Sequence, residues 1–474
     1  MRRRGPNPVI VLTVAAALPA AGLWLLADVA RSHAEQQVQV EPAVSVPATS
    51  PPAALGTPLL SVRRAPTPLQ ADRRADVLVA SAATLSASVD ATSCLAVGID
   101  DRTVVTVNPD VQVIPASDLK VALAAVALEV LGADHVFTTR VTGAKPVDGT
   151  VDGNLYLVGG GDPVLSEQWY TQASTARKRP PFNTTDITAL ADSVVAAGVK
   201  VITGGVVGDD TRYDAERWPE GWSADIRATT DGAPVSALVV NDSFDKARGQ
   251  STDPTRSAAQ VLARLLRDRG VTIASDSAAG TAPTDAAEIA SVNSQPLPAI
   301  LNEMLATSDN LTAEMLVKEL AVASGQPGTR AAGAKVLMDR LVAWGVPMAG
   351  VSVVDGSGLS RENHLTCPAL MAVLQHGSAG DPVGAGLARA GQEGSTLVGR
   401  FPQEGLTGVL QAKTGSLTGV KALAGYLPTG SGEVAFVLIL NGDSAGGFET
   451  RWEQLAELLL TSLDVPGIAA FGPR

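Results

Sequence analysis

The sequence predicts an α+β fold: one sheet assembled from both ends of the chain, helices between those ends, and an inserted α/β unit. Three observations carry this. Cys94-Leu-Ala-Val-Gly-Ile-Asp100 and Val104-Val-Thr-Val107, around Asp101-Arg102, read as a strand pair. Far along the chain, Gly408–Gly415, Lys421–Leu427 and Glu433–Leu440 read as three successive strands. From about Arg140 to Glu288, short strand-like runs alternate with helical periodicity. Strands at both ends with helices between them are most simply accommodated in a single sheet.

The 474 residues, 45% hydrophobic and 18% charged, suffice for a large core and two or more structural units. A formal net charge of -12 and the lack of a basic stripe interleaved with aromatics argue against a nucleic-acid partner. Arg177-Lys-Arg179 reads as a solvated loop cluster. Met1-Arg-Arg-Arg4 and the uncharged stretch from Gly5 to Ala27 read as an export signal, residues 1–34. Cleavage after Ser32-His-Ala34 would release the protein; without it, the stretch is long enough for a single N-terminal membrane anchor. Either way the chain is expected to work outside the cytoplasm, in the cell envelope. Residues 35–68, rich in Pro and Ala, read as a tether. Cys94 and Cys367 either pair in that oxidising setting or stay buried as thiols.

Taken in order, helical periodicity runs from Leu69 to Ala87. Val111-Gln-Val-Ile114 is strand-like, Pro115 suits a turn or helix start, and Val121–Leu131 reads as a buried helix. In the middle block, Leu155–Val158, Val201–Thr203 and Ala237–Val240 read as strands, with helices at Ile187–Ala197 and Ser257–Arg269. Gly159-Gly-Gly161 is a turn, because no Gly-Lys-Ser/Thr follows it. Helices are then expected at Leu297–Leu305, Leu311–Ala323, Thr329–Trp344, Pro368–His376 and Phe448–Leu463.

Chemistry concentrates at three places. Ser117 and Lys120, three apart, share one helical face. A Lys desolvated at the mouth of an apolar helix can lose its proton and serve as base to a Ser nucleophile, with the helix N-terminus stabilising an oxyanion. A second Ser-x-x-Lys, Ser243-Phe-Asp-Lys246, lies in a polar stretch with no apolar helix after it and reads as a surface decoy. Ser308-Asp-Asn310 falls between two predicted helices, where a loop could present a hydroxyl and an amide, or where Asn310 simply caps the second helix. The competing Ser291-Val-Asn293 ends a strand and lacks that setting. Lys413-Thr-Gly415, with Ser416, ends a strand; it offers a cation and hydroxyls for a carboxylate, and Gly415 would admit a substrate backbone. Ala412 stands where a Walker loop needs glycine.

Ser-x-x-Lys, Ser-Asp-Asn and Lys-Thr-Gly, in this order, are the motifs of penicillin-binding proteins and class A β-lactamases. Asp152–Pro163, Gly208–Asp214, Asp355-Gly-Ser-Gly-Leu-Ser360 and Ala412–Val420 extend the likeness. Over about residues 70–465 the chain resembles the class C low-molecular-mass penicillin-binding proteins, the D-alanyl-D-alanine carboxypeptidase/endopeptidase family of penicillin-binding protein 4 type. The resemblance implies a penicillin-recognising serine transpeptidase/β-lactamase-like domain, an antiparallel sheet flanked by helices, formed by residues 69–140 and 289–474. An inserted α/β domain, 141–288, would interrupt it, without the further nested domain some members carry.

The resemblance also implies roles. Ser117 attacks the carbonyl of a D-Ala-D-Ala bond in a peptidoglycan stem peptide, Lys120 takes its proton, Ser308 relays one to the leaving amine, and Asn310 holds Lys120 and the substrate amide. Lys413, Thr414, Gly415 and Ser416 receive the terminal carboxylate, and the backbone N–H groups of Ser117 and Ser416 form the oxyanion hole. Lys120 is expected to sit desolvated and close to another cation, and Lys413 to stay charged so as to attract a carboxylate. No metal or cofactor is required, and β-lactams act as covalent inhibitors. Cross-link endopeptidase activity, a β-lactamase-like hydrolase and an idle wall-binding scaffold are the alternatives. A Ser-His-Asp hydrolase is disfavoured by the presence of only four histidines, of which His33 lies in the export region.

Overall fold

The computed structural model describes residues 66–463 other than 173–178, 180, 224–225, 227–231, 248 and 431. The expected export signal, and Arg177 and Lys178 of the basic cluster, lie outside the described residues. The first helix, α1 (Pro66–Ser81), begins at a proline inside the expected tether, where a missing N–H costs a helix nothing.

The two ends of the chain meet in one sheet. β1 (Cys94–Ile99) and β2 (Arg102–Val107) form a hairpin, and β8 (Ala388–Arg389), β9 (Gln411–Leu417), β10 (Val420–Thr429) and β11 (Gly432–Asn441) complete it in the order β8-β9-β10-β11-β1-β2. Every pairing is antiparallel, and β1 joins β11 in register from Cys94↔Ile439 to Ile99↔Val434. All six residues of β1 are buried, as its unbroken apolar run requires of a central strand, whereas edge strand β2 exposes Arg102 and Thr103. Alternate residues of β11 serve two cores. Ala435, Val437 and Ile439 pack against α2 (Leu119–Leu131), α5 (Leu297–Thr307), α6 (Asn310–Ala323) and α8 (Cys367–His376). Val434, Phe436, Leu438 and Leu440 pack against α1 and α9 (Phe448–Thr461). Cys94 and Cys367 form a disulfide, Cα–Cα 5.8 Å, which tacks α8 to β1 and excludes the free-thiol alternative.

A second sheet lies within residues 138–293. Its order is β6 (Ala278–Ala279), β5 (Val206–Asp209), β4 (Leu155–Val158), β3 (Thr138–Gly143) and β7 (Ala287–Asn293), with β4, β5 and β6 parallel and β3 antiparallel to β4 and β7. Helices α3 (Ile187–Ala196) and α4 (Pro254–Asp268) pack on it. α4 starts at a capping Asp253 that accepts from the Arg256 amide, followed by Pro254. Between Asp245 and α4 there is only a hairpin of Phe244–Asp245 with Gly249–Gln250. α7 (Arg330–Ala343) packs beside α6.

Three local expectations are corrected. Ala237–Val240 forms no strand: its alternation is real, but Leu238 and Val240 enter the core of the second sheet while Ala237 and Val239 pack on Leu311 and Met315 of α6. Val111–Ile114 makes only a bridge, Val113↔Leu365. Ile114 is held instead by the Asn441 amide, which accepts from its N–H (2.9 Å) and donates to its carbonyl (3.2 Å). Ser243 is buried rather than on the surface; its hydroxyl donates to the Ser251 carbonyl at 2.9 Å, and Lys246 points away into solvent.

Candidate active site

Ser117 sits in a single 3-10 turn, Ala116–Asp118, that feeds directly into α2. The turn is tight: Ala116 is in the left-handed region at φ 47. Gly358 lies against it so closely that a Cβ there would fall 1.9 Å from the Ala116 carbonyl oxygen. One helical turn after the serine, Lys120 is completely buried. Its Nζ reaches the Ser117 hydroxyl at 2.9 Å, the Asn310 side-chain oxygen at 2.7 Å and the Ser357 carbonyl at 2.6 Å.

Ser308-Asp309-Asn310 is the corner between α5 and α6. Ser308 ends α5 with φ 66, and its N–H donates to the Met304 carbonyl. The cap of α6 is Asp309, which accepts from the Thr312 amide at 2.6 Å. Capping therefore does not consume Asn310, which is left to accept from Lys120. The competing Asn293 belongs to β7, where it accepts from the Thr138 hydroxyl.

Lys413 enters from β9. It is fully buried and donates to the Ser308 hydroxyl at 2.9 Å and to the Thr414 carbonyl at 2.7 Å. It does not line the cleft; Thr414 and Ser416 do, with Ser117, Ser308 and Asn310. The cleft holds ≈ 530 Å³ and is walled on its far side by Tyr170, Asp242 and Phe244 of the middle block. Ser416 is exposed and accepts from Lys421 at 2.6 Å. Gly415 admits the chain itself rather than a substrate: a Cβ there would lie 2.7 Å from the Pro115 carbonyl, so β9 rests on the nucleophile's turn.

Burial pushes the Lys120 amine down to about 7, against the pull of the Asp355, Glu314 and Asp118 carboxylates. No second cation is needed for that. Lys413 is driven well below the usual lysine range, by burial first and then by the Lys120 charge. Asp118 is fully buried, neither of its oxygens has a hydrogen-bond partner among the described residues, and burial raises it well above the carboxylate range. An anion arriving in the cleft beside Ser308 would favour the ammonium form of Lys413.

Sequence reasoning brought Ser117, Lys120, Ser308, Asn310, Lys413 and Thr414 to one place but gave no role to the loop behind them, Asp355–Ser360, or to Glu314. Asp355 accepts from the amides of Gly358 and Ser360, each at 2.8 Å, from Asn363 at 2.7 Å and from the Trp222 indole at 3.2 Å. Glu314, on α6, accepts from the amides of Gly356 (3.1 Å) and Ser357 (2.8 Å). Its position one turn after Asn310 was the available signal.

A serine beside a depressed lysine, with a second serine and lysine facing it across a cleft on an antiparallel sheet flanked by helices, defines an active-site-serine enzyme of the penicillin-recognising class. The model of the D-Ala-D-Ala carboxypeptidase 3 (S13) family matches residues 90–253 and 243–461, and the chain belongs to that family. It is 32% identical over 416 residues to the D-alanyl-D-alanine carboxypeptidase of Actinomadura sp. strain R39, covering 70% of this chain and 74% of that one. It is 33% identical over 371 residues to carboxypeptidase DacB of Mycolicibacterium smegmatis, covering 73% and 75%. The crystal structure of penicillin binding protein 4 from Haemophilus influenzae shares the fold with TM-score 0.65 at 21% identity, over 80% of this chain and 97% of that one.

Proposed function

We propose that the protein is a serine DD-peptidase that removes the terminal D-alanine of peptidoglycan stem peptides through an acyl-enzyme on Ser117, and that β-lactams acylate the same serine. The observation that carries this reading is the contact set of Lys120. A neutral amine has two N–H donors and one lone pair. Asn310 and Ser357 supply fixed acceptors for the two donors, which leaves the lone pair facing the Ser117 hydroxyl.

Ser117 attacks the penultimate carbonyl as Lys120 takes its proton, and the N–H groups of Ser117 and Ser416 receive the oxyanion. Ser308, hydrogen-bonded to Lys413, passes a proton to the departing D-alanine amine. Thr414 and Ser416 line the cleft and bind the terminal carboxylate, with Lys413 acting through Ser308. Water then cleaves the ester and regenerates Ser117. The expected boundaries at 140/141 and 288/289 cut β3 and β7, which belong to one sheet, so we assign 138–293 to the insert that walls the cleft and the segments on either side of it to the catalytic unit. Residues 1–34 carry the chain out of the cytoplasm, either cleaved or retained as one anchor.

The test is labelling with fluorescent penicillin and D-alanine release from a peptide ending in D-Ala-D-Ala. Both activities are expected in the wild type and absent in Ser117→Ala, while Ser243→Ala keeps both. Persistent labelling of Ser117→Ala would overturn the assignment. Rapid multiple turnover of penicillin without peptide cleavage would favour the β-lactamase alternative.

A further inference from the structure

The Ser357 carbonyl is an acceptor for Lys120 only because the loop 355–360 is held in one conformation. Glu314 holds that loop from α6: one of its oxygens, Oε1, takes the amides of both Gly356 and Ser357. The same helix presents Asn310 to Lys120 one turn earlier. Both acceptors that orient the Lys120 amine are thus set by a single helix, one directly and one through Glu314. The carboxylate is 1% exposed, and its Oε2 is buried with no hydrogen-bond partner among the described residues. Such a bare oxygen is expensive unless it has a task.

We propose, building on the assignment of Lys120 as general base, that Glu314 is a positioning residue for acylation: it fixes the Ser357 carbonyl against Lys120, and its charge biases that lysine toward the ammonium form. Lys120⁺ with Glu314⁻ and neutral Lys120 with protonated Glu314 contain the same number of protons. The first is inert toward Ser117 and the second is competent.

The groups facing Glu314 bear on both states. From the loop, Asp355 opposes its ionisation; from α2, Lys120 favours it; from α7, the Arg330 charge faces both carboxylates. One turn along α6, Lys318 is committed to Asp214 and to the Glu216 carbonyl. Asp118 interacts with Lys120 from the turn that precedes α2, and with Lys413 on β9. Burial, then Asp355, pushes the Glu314 carboxyl up while burial pushes the Lys120 amine down, so both groups are shifted toward their neutral forms.

Two substitutions separate reach from charge. Glu314→Gln keeps the acceptor for both amides and removes the ionisable group, so the inert charged pair no longer forms. Glu314→Asp keeps the charge but falls a methylene short of the loop. The readout is the rate of acylation by one penicillin from pH 5 to 9.

For Glu314→Gln we expect a plateau within about fivefold of wild type and an acid limb moved down by about half a unit to one unit. For Glu314→Asp we expect the limb to stay and the plateau to fall by about tenfold or more. A limb in Glu314→Gln that coincides with the wild type, or a plateau in Glu314→Asp equal to it, overturns the proposal. Lys120→Ala measured alongside distinguishes two failures. If it acylates at the wild-type rate, the general-base assignment falls and the role of Glu314 falls with it. If it is inactive while Glu314→Gln is unmoved, only the role of Glu314 falls.

Discussion

Gly358→Ala should disable the site without touching any reacting group. The residue has φ +80, a conformation that costs an alanine about 1–2 kcal/mol. The added Cβ would also fall 1.9 Å from the Ala116 carbonyl oxygen and 2.5 Å from its carbon, whereas real Cβ contacts essentially never come under 3.0 Å. The two backbones must therefore part by about 1 Å, and both are essential: one carries Ser117, the other the Ser357 carbonyl on Lys120. A misplacement of about 1 Å costs on the order of 100-fold in rate, or about 2.7 kcal/mol of transition-state stabilisation. Strain and overpacking together should destabilise the fold by about 2–4 kcal/mol.

Gly153→Ala is the control, with the same φ +80 but nothing within 4 Å of its Cβ. It should show the strain alone, about 1–2 kcal/mol, and acylate normally. The assay is the second-order rate constant for a fluorescent penicillin, paired with thermal unfolding of each variant. A folded Gly358→Ala protein that acylates within threefold of wild type would refute the claim that this contact sets the nucleophile's geometry.

Lys120→Arg should abolish acylation, since a guanidinium does not surrender its proton, whereas Lys413→Arg should retain a measurable rate because its donors to Ser308 survive; equal rates with one penicillin would sink the division of labour. Lys120 is competent only when neutral and sits near about 7, so the wild-type acylation rate should climb roughly tenfold per unit below that pH and level off above it, and a flat profile from pH 5 to 8 would count against it. Replacing Cys94 and Cys367 together with alanine should cost about 2–5 kcal/mol in denaturant unfolding, because the bridge closes a very long loop, and thiol counting on the denatured, unreduced wild type should find none.

Spacing and setting were enough to find most of the site. Ser117 and Lys120 stand out because a polar pair three apart opens an otherwise apolar helix, and the Ser308 corner because two helical patterns abut there. The sheet was legible for a similar reason: β1 and β11 are uninterrupted apolar runs, which only a strand covered on both faces explains. What escaped was decided by contacts between distant segments. Glu314 looks like any glutamate on a helix until a loop some forty residues further on brings its amides to it. The burial of Lys413 is equally invisible along β9, since the groups that cover it come from the α5–α6 corner. Ala237–Val240 shows how alternation misleads: it reports two apolar environments, and one strand between two sheet faces is only one way to meet them.

The pairing of β1 with β11 also has a consequence for the newborn chain. Translation supplies Ser117 and Lys120 early, yet the strand that completes their sheet ends at Asn441 and the lysine that steadies Ser308 arrives only at position 413. Domains of this kind close as units, and long-range pairing is the slow part of that closure. A partly made chain therefore holds Ser117 and Lys120 without the acceptors that orient the lysine, Asn310 and the Ser357 carbonyl, and without the strand that pairs with β1. The enzyme's hydrolytic power is therefore expected only once β11 has been made and has joined β1.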